Sequence, residues 1–398
     1  MRIALIADAF PPMYSSAAVQ LWDLAQELLS QGHVPVMMTP SHEIDQPWLL
    51  EDMNGVQVLR LKALPTKDIS YVRRTLGELL MPYAMLRNLR KSPFSDVRWD
   101  GVIWYSPTIF LGPMASALKK SSACRSYLIV RDIFPEWAVD MGLLGRGLPY
   151  RFFKAIERFQ YAIADVIGVQ TAANLAYFDA LPIKPGQRLE VLQNWLAVAP
   201  EVACSISVAN SPLAGRTIFV YAGNMGVAQG MGILLDLADR IQMRQDIGFL
   251  FVGRGSDVAI LRSTAKARGL NNVIFHDEID SAEIPGLYAQ CHVGIVALDP
   301  RHTTHNIPGK FLSYLQGGLP VLASINPGND LAAIIQNEHV GRVCTDYSVD
   351  TLLHLAETLV TEIAADANIS SRCRALSTKL FSPATATRQI TAALLGIK

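Results

Sequence analysis

Residues 302–324 read HTTHNIPGKFLSYLQGGLPVLAS, and this stretch decides the fold. A polar, glycine-bearing loop runs into an apolar-periodic helix, and an aliphatic run follows as a buried strand. Ile307-Pro308-Gly309-Lys310 falls where the helix begins. A first helical turn leaves backbone N–H groups unpaired and carries partial positive charge, and a lysine adds a full one. Phosphate is the natural occupant of such a terminus. A second loop of this type is YAGNMGVAQGMG at 221–232. Two of them in one half of a long α/β chain predict a nucleoside diphosphate held by backbone amides.

The surrounding pattern is strand–helix alternation. MRIALIADAF opens the chain as a buried strand, a helix follows from about Ala17 to Ser30, and VPVMMTP is the next strand. VQVLRL, VIWYS, SYLIVRD, VIGVQT and RLEVLQN continue it, then TIFVYAG, IGFLFVG, NVIFHD, VGIVAL, PVLAS and GRVC. Such alternation predicts parallel sheets covered on both faces. The aperiodic stretch 199–216, rich in Pro, Ser, Asn and Gly, reads as a linker. The expected organisation is two Rossmann-like doubly wound domains, 1–198 and 217–383, facing a central cleft. A last helix over 384–398 can return to the first domain.

With 398 residues, half of them hydrophobic, the chain has material for two large cores. Its 35 basic residues balance 35 acidic ones, which argues against nucleic acid as the main partner. Five scattered cysteines without a CxxC pair fit a reducing compartment, and no signal peptide is evident. Mean hydropathy is high at +0.23. The longest uncharged stretch, Gly101 to Leu118, contains Pro107 and Pro113 and reads as strand, turn and helix rather than a membrane span.

Four groups of residues carry the chemistry. Gly223, Asn224 and Gln229 lie in a strand-to-helix loop whose glycines admit close approach of a phosphate; a ligand-free tight turn would use the same residues. Arg254 follows a strand between two glycines and can neutralise a diphosphate, or be a plain surface arginine. Gly253-x-Gly255 lacks the third glycine and the acidic partner of a dinucleotide fingerprint. Arg131, Asp132 and Glu136 crowd the end of strand SYLIV, a functional position in open α/β sheets, where an Arg–Asp pair and a helix cap are the plainer reading. Finally, residues 66–93 mix Lys67, Arg73, Arg74, Arg87, Arg90 and Lys91 with a run of apolar side chains. A helix of that character can lie at an anionic membrane surface or pack with solvated basic ends. No Asp-x-Asp, His-Glu-x-x-His, Gly-x-Ser-x-Gly or Walker loop is present.

These segments, taken in order, resemble glycosyltransferase family 4, retaining enzymes of GT-B architecture. The likeness covers nearly the whole chain: FPPMYSSAAVQLWDLAQELLSQGHVPVMMT, LEVLQNW with Asn194, YAGNMGVAQG, LFVGRGSD and IPGKFLSYLQGGLPVLAS. RDIFPEWAV resembles the acceptor-side segment of the subgroup that makes bacterial surface polysaccharides, such as fucosamine transferases of O-antigen. The chain departs from many relatives at Asn224 and Gln229, where they have Arg and Lys, and at His305 and Ser313, where they have two glutamates. Ser15-Ser16 stands where a glycine pair is common.

The resemblance implies transfer of a hexosyl or N-acetylhexosaminyl unit from a nucleotide sugar, with UDP the expected nucleotide. The implied acceptor is a lipid-linked saccharide of lipopolysaccharide or O-antigen type, at the cytoplasmic face of the membrane. The implied chemistry is same-face attack without metal or cofactor. Donor contacts are expected from Gly223, Asn224, Gln229, Arg254, His305, Pro308, Gly309, Lys310 and Ser313. Asp132 and Glu136 are expected to orient or deprotonate the acceptor, Arg131 to add charge, and Ser15 and Ser16 to form the acceptor loop. A nucleotide-sugar epimerase of the same architecture, using His305 and Asp132, and a non-catalytic partner subunit are the alternatives.

Overall fold

The computed structural model describes the chain apart from Tyr14, 67–69, Pro107, Ile183, Ala199, Glu201, 302–306 and Lys398. It divides into two units, Met1–Trp195 with Pro383–Lys398, and Leu196–Ser382. The first contains β1 (Arg2–Ile6), α1 (Ser16–Ser30), β2 (Val34–Ser41), β3 (Trp48–Met53), β4 (Val56–Lys62), α2 (Tyr71–Leu89), β5 (Gly101–Ser106), α3 (Gly112–Ser122), β6 (Arg125–Val130), α4 (Glu136–Asp140), α5 (Leu148–Ile163), β7 (Val166–Val169), α6 (Ala172–Leu175) and β8 (Arg188–Val191). The second contains β9 (Thr217–Ala222), α7 (Gly232–Arg240), β10 (Ile247–Val252), α8 (Val258–Ala267), β11 (Val273–His276), α9 (Ile284–Tyr288), β12 (Val293–Ala297), α10 (Gly309–Gly317), β13 (Val321–Ser324), α11 (Asp330–Asn337), β14 (Gly341–Cys344), α12 (Val349–Ala365) and α13 (Ile369–Phe381). The last helix, α14 (Pro383–Leu395), belongs to the first unit, with Ile390, Ala393 and Leu394 buried in its core beside Leu21 and Leu24 of α1.

The first sheet has the order β3-β4-β2-β1-β5-β6-β7-β8 and the second β11-β10-β9-β12-β13-β14. Every pairing is parallel except β3 with β4. Alternation along each strand feeds two cores per sheet, as the pleat requires. In β1, Ala4 and Ile6 enter one core while Ile3 and Leu5 enter the other. In β9, Ile218 and Val220 face one side, Phe219 and Tyr221 the opposite side. The strand order reverses at β1/β5 and at β9/β12, the switch points beyond which ligands bind in such sheets.

Two features differ from the sequence reading. β3 was not expected. It is an antiparallel edge strand closed onto β4 by Asn54-Gly55, both at positive φ (52° and 85°), the conformation a tight two-residue hairpin demands. The Asn-Gly dipeptide between WLLEDM and VQVLRL was its signal. The stretch 199–216 is not a free linker either. Ile206, Val208 and Leu213 are buried in the second core, and the Gln290 side chain accepts from Val208 N (2.9 Å) and donates to Ile206 O (2.9 Å). Spaced apolar residues in an irregular segment anchor it without any periodicity to read. Among the described residues no helix is long and apolar enough to cross a membrane.

Candidate active site

In the second domain, the loops after β9 and β10 and the start of α10 converge. Gly223 closes β9 at φ +133°, and its N–H donates to Val252 O at 2.9 Å. Met225 N donates to Arg254 O at 2.7 Å, so the two loops are zipped by backbone. A Cβ at Gly253 would stand 2.1 Å from Gly223 O, and one at Gly255 2.1 Å from Met225 O. Gly253→Ala is therefore expected to destabilise the second domain by roughly 3 kcal/mol or more through overlap plus a left-handed φ. Calorimetric melting reads the loss, and nucleotide binding should disappear with it.

The rest of the 223–232 loop is clasped from its far side. Gln229 Oε1 accepts from Asn224 Nδ2 (3.1 Å) and from Gly226 N (3.0 Å). Asn224 and Gln229 thus bond each other. Tyr347 donates to Gly230 O at 2.9 Å, and Asp299 N, just past β12, donates to Ala228 O at 3.0 Å. Asp299 in turn holds Arg301 through Nε at 2.7 Å.

α10 is pinned by Tyr314, whose ring fills the space a Cβ on Gly294 would need (2.3 Å). Its hydroxyl accepts from Ala222 N at 3.3 Å, tying the helix to the end of β9. Lys310, one turn earlier, extends along Gly223: a Cβ there would meet Lys310 Cε at 3.0 Å and Nζ at 3.2 Å. The ammonium sits 4.8 Å above the Tyr221 ring. No carboxylate pairs with it and no hydrogen bond reaches it among the described residues. Burial without a counter-ion pushes its pKa down to about 8. Gly309 is exposed and has open space around its Cα, leaving the first turn of α10 accessible. Pro308 precedes it as the N-cap residue. Ser313 is turned back on its own helix, donating to Lys310 O at 3.0 Å. Arg254 is 77% exposed and ion-paired with Glu278 at 3.3 Å. His305 lies outside the described residues.

In the first domain the candidates sit beyond β1, β5 and β6. The Ser15 hydroxyl caps α1, accepting from Ala18 N at 3.2 Å, and Ser16 is exposed. Arg131 is buried: it donates to Leu192 O (2.7 Å) and Gln193 O (3.3 Å) and stacks 4.7 Å from the Trp195 ring. It braces the end of β8, so its expected role of adding charge to a ligand gives way to holding the backbone. Asp132 is half-buried and lies in the field of Arg131 and Tyr105. Burial pushes the Tyr105 hydroxyl up to about 12. Glu136 is not a free carboxylate. Its Oε1 accepts from Tyr150 (2.8 Å) and from Lys154 (2.9 Å), and its Oε2 is buried. Lys154 also pairs with Glu157 at 2.8 Å, and Tyr177 joins the same knot. Glu157 is wholly inaccessible, and burial raises its pKa.

Sequence reasoning missed Asp8, Tyr105, Lys154 and Glu157. Asp8 follows the first strand directly, and its charge is felt by Tyr105 and by Glu78; a carboxylate ending ALIA was a readable signal. Lys154 and Glu157 were legible only as a helical i, i+3 pair, which surface helices show everywhere. The basic residues Arg73, Arg74, Arg87, Arg90 and Lys91 are all exposed on and just after α2.

Residues 207–374, inside the second domain, match the family model "Glycosyl transferases group 1". The chain is 28% identical over 320 residues to "Putative colanic acid biosynthesis glycosyl transferase WcaI" of Escherichia coli K12, covering 74% of this chain and 76% of that one. It is 26% identical to "Probable glycosyltransferase WbjE" of Pseudomonas aeruginosa, over 54% of this chain and about half (55%) of the relative's length. Among solved structures, Anabaena Alr3699/HepE in complex with UDP-glucose superposes with a TM-score of 0.67 at 15% identity, covering 100% of both chains. The fold is GT-B, and the segment 207–374 of its second domain is similar to glycosyl transferases group 1.

Proposed function

We propose that the chain is a retaining, metal-independent glycosyltransferase. It moves a hexosyl or N-acetylhexosaminyl unit from UDP to a lipid-linked saccharide of a bacterial surface polysaccharide, at the cytoplasmic face of the membrane. Lys310 carries the reading: a desolvated ammonium without an anionic partner among the described residues, held beside Gly223 at the start of α10. Burying an unpaired charge costs stability, and a diphosphate seated against it and the α10 amides would offset that cost. The UDP-glucose complex of HepE and the colanic acid name of WcaI support the donor and acceptor classes. The exposed basic side chains of α2 support the membrane surface.

In this reading the acceptor oxygen bonds to the anomeric carbon on the face the diphosphate leaves. The sugar–phosphate bond breaks, and the acceptor proton passes to a departing phosphate oxygen. Lys310 and the first-turn amides take up the growing charge. Asp132 orients the acceptor hydroxyl, while Glu136, already bonded to Tyr150 and Lys154, holds the segment in place.

The test is incubation with UDP-sugars and acceptor lipid extract in EDTA. Free UDP and a glycoside of unchanged anomeric configuration are expected. Isomerised nucleotide sugar without UDP release would instead favour an epimerase.

A further inference from the structure

We propose that Tyr347 is a positioning residue for donor binding. Its hydroxyl, carried on a strained backbone beyond β14, fixes the far end of the 223–232 loop at Gly230, so that the loop meets the diphosphate of UDP in one geometry. The proposal deepens the donor part of the reading above and rests on it.

The strain lies in the backbone. Tyr347 has φ +55°, the left-handed region, where a bulky side chain is an outlier. Such a conformation persists only where its surroundings over-determine it, and it concentrates at functional sites. Asp346 and Ser348 supply those surroundings. Asp346 Oδ1 accepts from Ser348 N (3.0 Å) and from Cys344 Sγ (3.0 Å), and its Oδ2 accepts from Thr351 Oγ1 (2.8 Å). Ser348 caps α12, accepting from Thr351 N at 3.3 Å. The turn from β14 into α12 is thus locked around Tyr347.

What the strain secures is reach. In the order β9-β12-β13-β14, two strands stand between β14 and β9. The Tyr347 hydroxyl nevertheless donates to Gly230 O at 2.9 Å. Asn or Gly would take the left-handed backbone at less cost but would not span that distance. Gly230 is matched to the contact. It has φ +56°, and a Cβ there would lie 2.5 Å from the Tyr347 hydroxyl and 3.1 Å from Asp299 Cα. The loops after β9, β12 and β14 therefore meet at Gly230. Asp299 acts at this junction through its amide, on Ala228 O, whereas Tyr347 acts through its side chain. Burial, with the nearby Asp299 charge, raises the Tyr347 pKa and keeps its proton available for donation. At the opposite end of the loop, Gly223 lies against Lys310. A loop held at Gly230 presents one spacing to the ammonium. A loose loop samples many, and ordering it opposes binding.

Hydrogen exchange and titration calorimetry on the full chain, wild type and Tyr347→Phe, test this. Phenylalanine keeps the ring and removes only the hydroxyl. Exchange of the 226–231 amides should quicken in the variant without UDP and return close to the wild-type rate at saturating UDP. UDP affinity should fall about fivefold, the scale of one neutral hydrogen bond, with melting temperature unchanged. Wild-type affinity in the variant would overturn the proposal. So would a loss that comes with a lower melting temperature and faster exchange throughout the second domain, because Tyr347 would then only hold the fold. If UDP binds neither protein while exchange still quickens at 226–231 alone, the donor reading fails and the bracing of this loop by Tyr347 stands.

Discussion

Replacing Lys310 with methionine is expected to weaken UDP binding more than tenfold and at the same time to raise the melting temperature of the second domain. The two effects follow from one cause. The folded protein holds the ammonium against the Tyr221 ring and Gly223 with no counter-ion among the described residues, and burial lowers its pKa to about 8 from 10.5. A lysine whose folded pKa lies below its unfolded value costs stability while it is charged in the native state. That cost is present below pH 8 and is relieved as pH rises from 8 toward 10.5. Methionine keeps the stem and removes the charge, so the fold gains. The proposed donor site loses a cation poised beside the first turn of α10, and turnover should fall by more than about tenfold as well. Active sites commonly trade stability for function in this way. A variant less stable than wild type, with normal UDP affinity, would mean that Lys310 is a packing residue.

The second large effect concerns the first domain. Lys154→Met is expected to destabilise it by about 3–5 kcal/mol, because it strips the cation from a wholly buried Glu157 and from Glu136. Glu157 already has a raised pKa from burial, so in the variant it should take up a proton readily. A carboxyl whose folded pKa exceeds its unfolded value destabilises above the unfolded pKa and is relieved as pH falls. The variant's deficit should therefore shrink from pH 8 to pH 5. Adding Glu157→Leu should recover much of the stability, since replacing both members of a buried pair is often neutral. Thermal melts of the two variants across pH check this. A deficit independent of pH and not rescued by the second change would show that the knot is not what holds α4 to α5.

How much of this was legible in the sequence depended on whether the signal was local. The buried runs of β1, β5, β9 and β10 carry their strand identity in a few consecutive apolar residues, and the loops after them carry their glycines in plain view. The paired loops were readable for that reason: Gly253 and Gly255 are needed because two backbones approach too closely for any Cβ, and Gly223 lies against the Lys310 stem. What the sequence did not carry was partnership. Arg131 looked like a ligand-facing charge, but its guanidinium is taken by carbonyls some 61 positions away. Glu136 looked like a candidate base, and only the fold shows Tyr150 and Lys154 on it. Asn224 and Gln229 stood in for expected cations, yet they hydrogen-bond each other. Lys310 was placed correctly on the helix start by pattern, whereas its lack of a carboxylate partner among the described residues is a property of three dimensions.

The most direct test of the central claim is the UDP affinity of the wild-type protein by titration calorimetry in EDTA, between pH 7 and pH 9. Tyr221, the ring beneath the ammonium, stays neutral over this range because burial raises its pKa. If the unpartnered Lys310 holds the diphosphate, bound phosphate raises its pKa, and affinity should be level near pH 7 and fall toward tenfold per pH unit above pH 8. Lys310→Met should be weak and flat over the same range. Tight binding with no pH dependence in wild type, or no binding of UDP at millimolar concentration, would contradict the account.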